Sequence, residues 1–122
     1  MPSKSPAGFD FRRPVAYDAA GKRVFHSRAR SQLRRLAVAL GLKPGSYNVR
    51  SNYGGVSGEA VLHTDCLYVQ VCQPATGHDS GILFRTCKGR NDYVGGPNNF
   101  ASLDLLNHPD ELSRRIREAC RA

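Results

Sequence analysis

A chain of 122 residues, 40% hydrophobic and 23% charged, has the size and balance of one globular domain with a single core. This composition excludes a wholly disordered chain, and apolar runs such as 36–40 are far too short to span a bilayer. The first residues lack the apolar segment of a secretory signal, so we expect a cytoplasmic protein.

The charge of the chain is concentrated in its first half. Residues 1–58 hold eleven basic and two acidic residues, whereas 59–122 hold seven basic and eight acidic ones. No acidic residue stands between Asp18 and Glu59, and essentially the whole net charge of +8 arises before Glu59. Such asymmetry favours an anionic partner, which can be nucleic acid, an anionic membrane surface or an acidic protein.

The chain begins with a segment that predicts little regular structure. Prolines, a glycine and small polar residues are frequent in 1–14, which predicts a flexible segment, and residues 18–21 (DAAG) could form the turn of a small hairpin. We therefore predict a flexible basic arm or a small hairpin over 1–24. A helix is predicted over 27–40, where leucine and alanine recur at intervals of three and four residues. Gly41 stands where a left-handed residue would close that helix.

Four strands are predicted between residues 46 and 87, because apolar and polar residues alternate there with period two. The links between consecutive strands are short, which favours an antiparallel meander. Residues 88–101 are predicted to form a long irregular loop, since glycine and asparagine are frequent in them. The predicted strands are 47–51, 59–63, 66–72 and 81–87.

A last helix is predicted to begin at Pro109, because proline suits the first helical position and Asp110 and Glu111 follow in the first turn. Ser102 is expected to cap a short turn ahead of it. The order of helix, four strands and helix lets both helices cover one face of the sheet. The sequence therefore predicts a single α+β domain over 25–122, folded as a two-layer sandwich behind the N-terminal arm.

The basic first helix is the main functional candidate. Guanidinium groups donate two hydrogen bonds to one phosphate and are weakly hydrated, so a cluster of them on and before one helix suits a phosphate-binding surface. The alternative is a solvated face that only keeps the protein soluble. The cluster consists of Lys22, Arg23, Arg28, Arg30, Arg34 and Arg35.

The predicted loop at 88–101 is the second candidate. It interleaves charged, aromatic and amide side chains, a mixture that can contact phosphates and stack on bases. We therefore add Lys88, Arg90 and Tyr93 to the predicted nucleic-acid-binding residues. The alternative is a structural loop whose aromatic rings anchor it to the core.

Three tyrosines are candidates for an aromatic platform on which bases could stack. Tyr47, Tyr53 and Tyr68 could share the open face of the sheet, as in proteins that read single-stranded RNA. The signature of those ribonucleoprotein domains does not occur in the chain. We therefore interpret the three rings as cross-strand packing.

Neither catalysis nor a metal site is predicted. His63 and Cys66 have the residue types of a nucleophilic pair, but neighbouring strand positions point to opposite faces and no third group orients them. The four cysteines lack zinc-site spacing, and Cys66 and Cys72 would stand about 20 Å apart along one strand. We therefore expect free thiols, no catalytic residue, no metal and no cofactor.

Three segments carry a resemblance to other sequences. Residues 57–64, 67–71 (LYVQV) and 84–90 (FRTCKGR) resemble short uncharacterised proteins encoded on proteobacterial plasmids and integrative elements. The resemblance covers 46–120 and leaves the basic arm and the first helix outside it. It implies no activity, and it favours a role in maintaining the mobile element or in countering host defences.

The charge pattern predicts a non-enzymatic nucleic-acid-binding accessory protein that contacts phosphates through its basic first helix. DNA and RNA both fit this prediction, and an acidic protein partner stays open, whereas a membrane partner is not expected. The alternative is a protein-interaction module, such as an inhibitor of a host enzyme encoded on a mobile element. Its contact surface would be the sheet face or the loop at 88–101.

Overall fold

The protein folds as two helices against one antiparallel sheet. The structure, a computed structural model, describes residues 9–12, 18–52, 58–72, 81–89 and 96–120. The sheet has five strands in the order β1-β2-β3-β4-β5, so the α+β class and the meander are confirmed, with one strand more than predicted. In chain order the elements are α1 (Ala19–Ala39), β1 (Asn48–Asn52), β2 (Glu59–His63), β3 (Leu67–Cys72), β4 (Ile82–Thr86), β5 (Asn99–Ala101), a 3-10 helix (Leu103–Asn107) and α2 (Pro109–Ala119).

The two faces of the sheet differ because side chains alternate along each strand. On the inner face Leu62 pairs with Val69 and Val69 with Phe84, and all three are buried. On the outer face Tyr68 and Gln70 of β3 are only half-buried. Helix α1 packs against β1, β2 and α2, and apolar residues of α2 join the same core. The predicted two-layer arrangement of helices over one sheet face is therefore present.

Helix α1 begins at Ala19, eight residues before the start at residue 27 that the sequence predicts. Asp18 is the N-cap: its backbone is extended, and its carboxylate accepts a hydrogen bond from the Gly21 amide at 3.0 Å. This bond satisfies a first-turn N–H that has no partner within a helix. The aspartate and glycine that suggested a hairpin thus belong to a helix start, and the hairpin prediction is wrong for the described residues.

Replacing Asp18 by alanine is expected to lower the free energy of unfolding by about 1 kcal/mol, because the capped amide loses its acceptor. Asp18→Asn keeps a side-chain oxygen and should stay within a few tenths of a kcal/mol of the parent protein. Urea denaturation followed by circular dichroism measures both variants. Equal stability of the alanine variant and the parent would show that the cap does not stabilise α1.

Residues 9–12 belong to the folded domain. The Phe11 side chain is 1% exposed, and its ring contacts Phe9 and Phe25 edge-on at centroid distances of 4.8 and 5.8 Å. The prediction that all of 1–24 forms a flexible arm is therefore wrong for this segment and for the start of α1. The other residues of that predicted arm lie outside the described ranges.

The segment predicted as an irregular loop ends in the strand β5. The Gly96 amide donates to the Thr86 carbonyl at 3.0 Å, and a Cβ at Gly96 would collide with the Thr86 side chain. Asn99 then donates through Nδ2 to a backbone carbonyl of β4 at 3.2 Å. Gly96 and Asn99 therefore allow the chain to return to β4 and bond to it. The prediction that all of 88–101 forms an irregular loop is wrong, because 99–101 form a strand.

The predicted helix boundaries near the sheet are confirmed. Gly41 has φ +76°, the left-handed conformation expected after a helix, and α2 begins at Pro109. Ser102 caps the 3-10 helix by accepting a hydrogen bond from the Asp104 amide at 3.2 Å. Within the described ranges, no helix combines the length and the apolar character that crossing a membrane requires.

Candidate nucleic-acid interface

The arginines of α1 fall into two rows along the helix. At roughly 100° per residue, one side of the helix carries Arg23, Arg30 and Arg34. A second side, rotated by about 120° from the first around the helix axis, carries Arg28 and Arg35. The first side faces β1, since Arg30 donates a hydrogen bond to β1 and Arg34 lines a groove with it. We call these two sets the β1 row and the far row.

Two of the six predicted basic residues of α1 make contacts within the fold, and a third is half-buried. Arg30 is half-buried, and its Nη1 donates to the hydroxyl of Ser51 at 2.8 Å. The Arg28 guanidinium lies 5.9 Å from the centroid of the Phe9 ring, which is cation–π geometry. Lys22 is half-buried in the first turn of the helix. Part of the predicted cluster therefore stabilises the domain whatever the partner is.

The other three arginines of α1 are exposed. In the described part of the chain, Arg23, Arg34 and Arg35 make no hydrogen bond and no ion pair. Helix α1 itself contains no acidic residue, and its N-cap Asp18 is bonded to the helix backbone. These guanidinium groups are therefore available to an external anion.

The arginines of α2 have carboxylate partners on their own helix. Arg114 pairs with Glu111 and, at 3.3 Å, with Glu118, and Arg115 lies 3.5 Å from Glu111. The hydrogen bond from Arg114 lowers the pKa of the Glu111 carboxyl, which keeps it charged at neutral pH. Positive charge is therefore offset on α2 and not on α1.

An open groove of about 510 Å³ lies between α1 and the edge strand β1. Arg34 lines it from the helix, Asn48 and Arg50 line it along the strand, and Tyr47 lies between the two elements. Arg50 alternates with Val49 and Ser51, which face α1, so its side chain extends to the outer face, where its charge acts on the Tyr68 phenol. Gly45, at φ +88°, helps to turn the chain from the helix to the strand. The packing of α1 on β1 thus leaves a space at the edge of the sheet, lined by Arg34 and Tyr47 and by residues 48–50 of the strand, which we call the edge groove.

Three of the groove side chains were not among the predicted site residues. Arg50 lies in the stretch without acidic residues, so its charge was the signal that could have identified it. Tyr47 had been interpreted as cross-strand packing, and it is in fact half-buried at the margin of the core while lining the groove. Asn48 carries no sequence signal of its own.

Of the second predicted cluster, the structure describes Lys88. Lys88 is exposed and follows β4, which lies three strands from β1 in the sheet. At about 4.8 Å per strand the two strands are about 14 Å apart. Arg90 and Tyr93, which complete the predicted loop cluster, lie outside the described residues.

The outer face of the sheet does not present an open ring for stacking at Tyr68. The Arg85 guanidinium lies 4.5 Å from the centroid of that ring, and the Tyr68 hydroxyl donates to Gln70 Oε1 at 2.7 Å. Burial raises the pKa of the Tyr68 phenol, so it remains a donor at neutral pH. Tyr68 therefore packs across the strands, and Tyr53 lies outside the described residues.

His63 and Cys66 are on different sides of the molecule. His63 is 1% exposed and contacts Tyr68 on the outer face at 5.2 Å, whereas Cys66 lines an apolar cleft with Ile116 and Cys120. Burial raises the pKa of the Cys120 thiol, which makes it a poor nucleophile at neutral pH. In the ranges that the structure describes, no three possible metal ligands come together.

No protein-family model, no curated protein and no solved structure matches the chain.

Proposed function

We propose that this chain is a non-enzymatic accessory protein that binds nucleic acid through phosphate contacts of α1. The observation that carries the proposal is the uncompensated charge of that helix. Six basic residues and no acidic residue occur in it, and Arg23, Arg34 and Arg35 are exposed without a bonded partner among the described residues. The resemblance of 46–120 to proteins of plasmids and integrative elements supports an accessory role.

The geometry of the β1 row suits a phosphate backbone. Arg23 and Arg34 are separated by about 16 Å along the helix axis at 1.5 Å per residue. One strand of a duplex presents about five phosphates over that distance. Arg23 and Arg34 can therefore each meet a phosphate of the same strand, and each contact releases condensed counterions.

A purely solubilising role accounts less well for the distribution of charge. Solubility is served by mixed signs on one surface, as on α2, where Arg114 and Arg115 pair with Glu111. Helix α1 carries one sign only. A single-sign surface attracts polyanions and adds self-repulsion to the fold, so a polyanionic partner explains it better than solubility does.

The test removes the same charge from each helix in turn. The double variant Arg23→Gln with Arg35→Gln removes from α1 two exposed arginines that have no bonded partner among the described residues. We expect the slope of log affinity against log salt to flatten by about 1.8. Affinity should fall equally for all base sequences, because phosphate contacts do not read bases. Fluorescence anisotropy with labelled DNA and RNA measures both quantities.

Arg114→Gln with Arg115→Gln is the matched control. It removes two arginines from the surface of α2, so the net charge changes equally while α1 is untouched. We expect the salt slope of this variant to equal that of the parent. Equal slopes for the parent and the α1 variant, with both proteins folded, would overturn the assignment of α1 as the binding surface.

A further inference from the structure

We infer that α1 binds in the major groove of double-stranded DNA, with the β1 row and the far row on the phosphates of the two strands that border the groove. The inference rests on the proposed function and deepens it, because it names the form of nucleic acid and the way in which α1 lies on it. The geometry that carries it is the placement of two arginine rows on opposite flanks of the exposed face of one helix.

The exposed face of α1 lies opposite its buried face. At roughly 100° per residue, the midline between the two arginine rows is about 180° around the axis from the buried residues. Strand β1 adjoins one side of the helix, where Arg30 bonds to Ser51, and the 3-10 helix adjoins the other, where Gln32 donates to the Leu106 carbonyl at 2.6 Å. The middle of the exposed face therefore points away from the sheet and from both of these neighbours. The buried residues of α1 are Phe25, His26, Ala29, Leu33, Leu36 and Ala37.

Arginine stands on both flanks of this face. Arg23 and Arg34 lie on one flank and Arg35 on the other, all exposed and without a hydrogen bond or an ion pair among the described residues. Arg28 shares the flank of Arg35 and keeps its charge beside the Phe9 ring. In B-DNA two rows of phosphates border a major groove about 12 Å wide, whereas a single strand presents one row. Positive charge on two flanks of one helix therefore matches a groove of a duplex.

The side chains between the two rows let the helix approach the base edges. None of them is larger than valine, and a helix about 10–12 Å across fits a major groove about 12 Å wide. Serine hydroxyls can hydrogen-bond to base edges, and apolar methyl groups contact the thymine methyl. The methyl groups of Val24 and Val38 are available to a partner, because these side chains are 45% and 76% exposed. The residues between the rows are Ala20, Val24, Ser27, Ser31 and Val38.

The same geometry favours double-stranded DNA over other anionic partners. The major groove of A-form RNA is deep and narrow, so α1 cannot enter it and only one arginine row can meet phosphates. An anionic membrane surface requires large apolar side chains on the exposed face of a helix, where α1 has only two valines. An acidic peptide can pair with arginines but does not present two fixed rows of charge on either side of the helix. We therefore favour double-stranded DNA as the occupant of this face.

The first test compares three forms of nucleic acid by fluorescence anisotropy with the full chain. They are a DNA duplex of about 20 base pairs, which is longer than α1, an RNA duplex of the same sequence, and oligothymidine of the same length. We expect the DNA duplex to bind most tightly at equal salt. Its salt slope should be steeper than that of the RNA duplex by about 1.8, because the two arginines of the far row lose their phosphates on RNA. Equal or tighter binding of either alternative would overturn the inference.

The second test fills the space between the rows without changing charge. Ser27→Leu with Ser31→Leu should keep α1 folded, since leucine favours a helix more than serine does. The larger side chains hold the helix away from the bases, so DNA duplex binding should weaken about 10-fold to 100-fold, the loss that a mismatched base contact causes. Binding of oligothymidine should not change. Ser27→Ala with Ser31→Ala keeps the side chains short and should bind the duplex like the parent.

A readout on the parent protein remains informative if the leucine variant fails to fold. A substituent at position 5 of a pyrimidine lies in the major groove. A DNA duplex in which every cytosine carries a glucosylated 5-hydroxymethyl group keeps its phosphates but has a filled major groove. It should bind more weakly than the unmodified duplex, with a salt slope flatter by about 1.8. Netropsin, which occupies the minor groove, should not displace the protein. Equal affinity for the two duplexes, or displacement by netropsin, would contradict binding in the major groove.

The outcomes separate this inference from the proposed function. Parental affinity of a folded Ser27→Leu, Ser31→Leu variant for the DNA duplex overturns binding in the major groove. If Arg23→Gln with Arg35→Gln still flattens the salt slope in that case, the phosphate-binding function stands. Failure of the parent to bind any of the three nucleic acids overturns both. Displacement of the bound duplex by polyglutamate at equal charge concentration would overturn the inference and assign this face of α1 to acidic proteins instead.

Discussion

Raising the salt concentration from about 50 to 200 mM is expected to weaken nucleic-acid binding by about 10³-fold. Each phosphate contact adds about 0.9 to the slope of log affinity against log salt, so six contacts give a slope of about −5. The structure shows six exposed basic residues between Asp18 and Glu59, which is the largest number of contacts that exposed side chains of this stretch can offer. They are Arg23, Arg28, Arg34, Arg35, Lys43 and Arg50.

Anisotropy titrations in a series of potassium chloride concentrations measure this slope. If only Arg23, Arg34 and Arg35 meet phosphates, the slope would be about −3 and the loss about 40-fold. The measured slope therefore counts the contacts, and the variants described above locate them. Binding that does not respond to salt would contradict a phosphate-binding role for the chain.

Phe11→Ala is expected to lower the free energy of unfolding by about 3 to 5 kcal/mol. The side chain is 1% exposed and contacts the rings of Phe9 and Phe25, so truncation leaves a cavity in the core. The Asn107 side chain also donates to the Phe9 carbonyl at 2.8 Å, which ties the same segment to the chain ahead of α2. Urea denaturation of the purified variant measures the change.

Phe100→Ala is the matched control for Phe11→Ala. Phe100 is also a phenylalanine, but it is 58% exposed on the short strand β5. Its removal should cost less than about 1 kcal/mol, the range of an exposed cross-strand contact. If the two variants were equally stable, the segment 9–12 would contribute nothing to the core.

Local sequence patterns were sufficient to predict most elements. The alternation in β3 and the proline at the start of α2 act over a few residues, and both predictions are confirmed. Gly41 likewise ends α1 through its own backbone conformation. The uneven charge is also a property of the sequence alone, and it is the basis of the functional proposal.

Long-range contacts account for the predictions that were wrong. The residues next to Phe11 in sequence predict a proline-containing arm. Phe11 is nevertheless buried, because it packs against Phe25, which lies further along the chain. Asn99 occurs among residues that disfavour strands, yet pairing with β4 makes its segment a strand. Local propensity could not anticipate either contact, since each depends on an element distant in sequence.

The sequence by itself determined the α+β order of elements and the concentration of arginine on α1. Only the tertiary structure decided which arginines are exposed and which, like Arg30 on Ser51, are bonded within the fold. It also decided that Arg34 and Arg50 line one groove with Tyr47. The physical reason is that helix and strand periodicities set the direction of a side chain only within its own element. The distance between two elements depends on how they pack, and here the burial of the apolar face of α1 against β1 and β2 sets it.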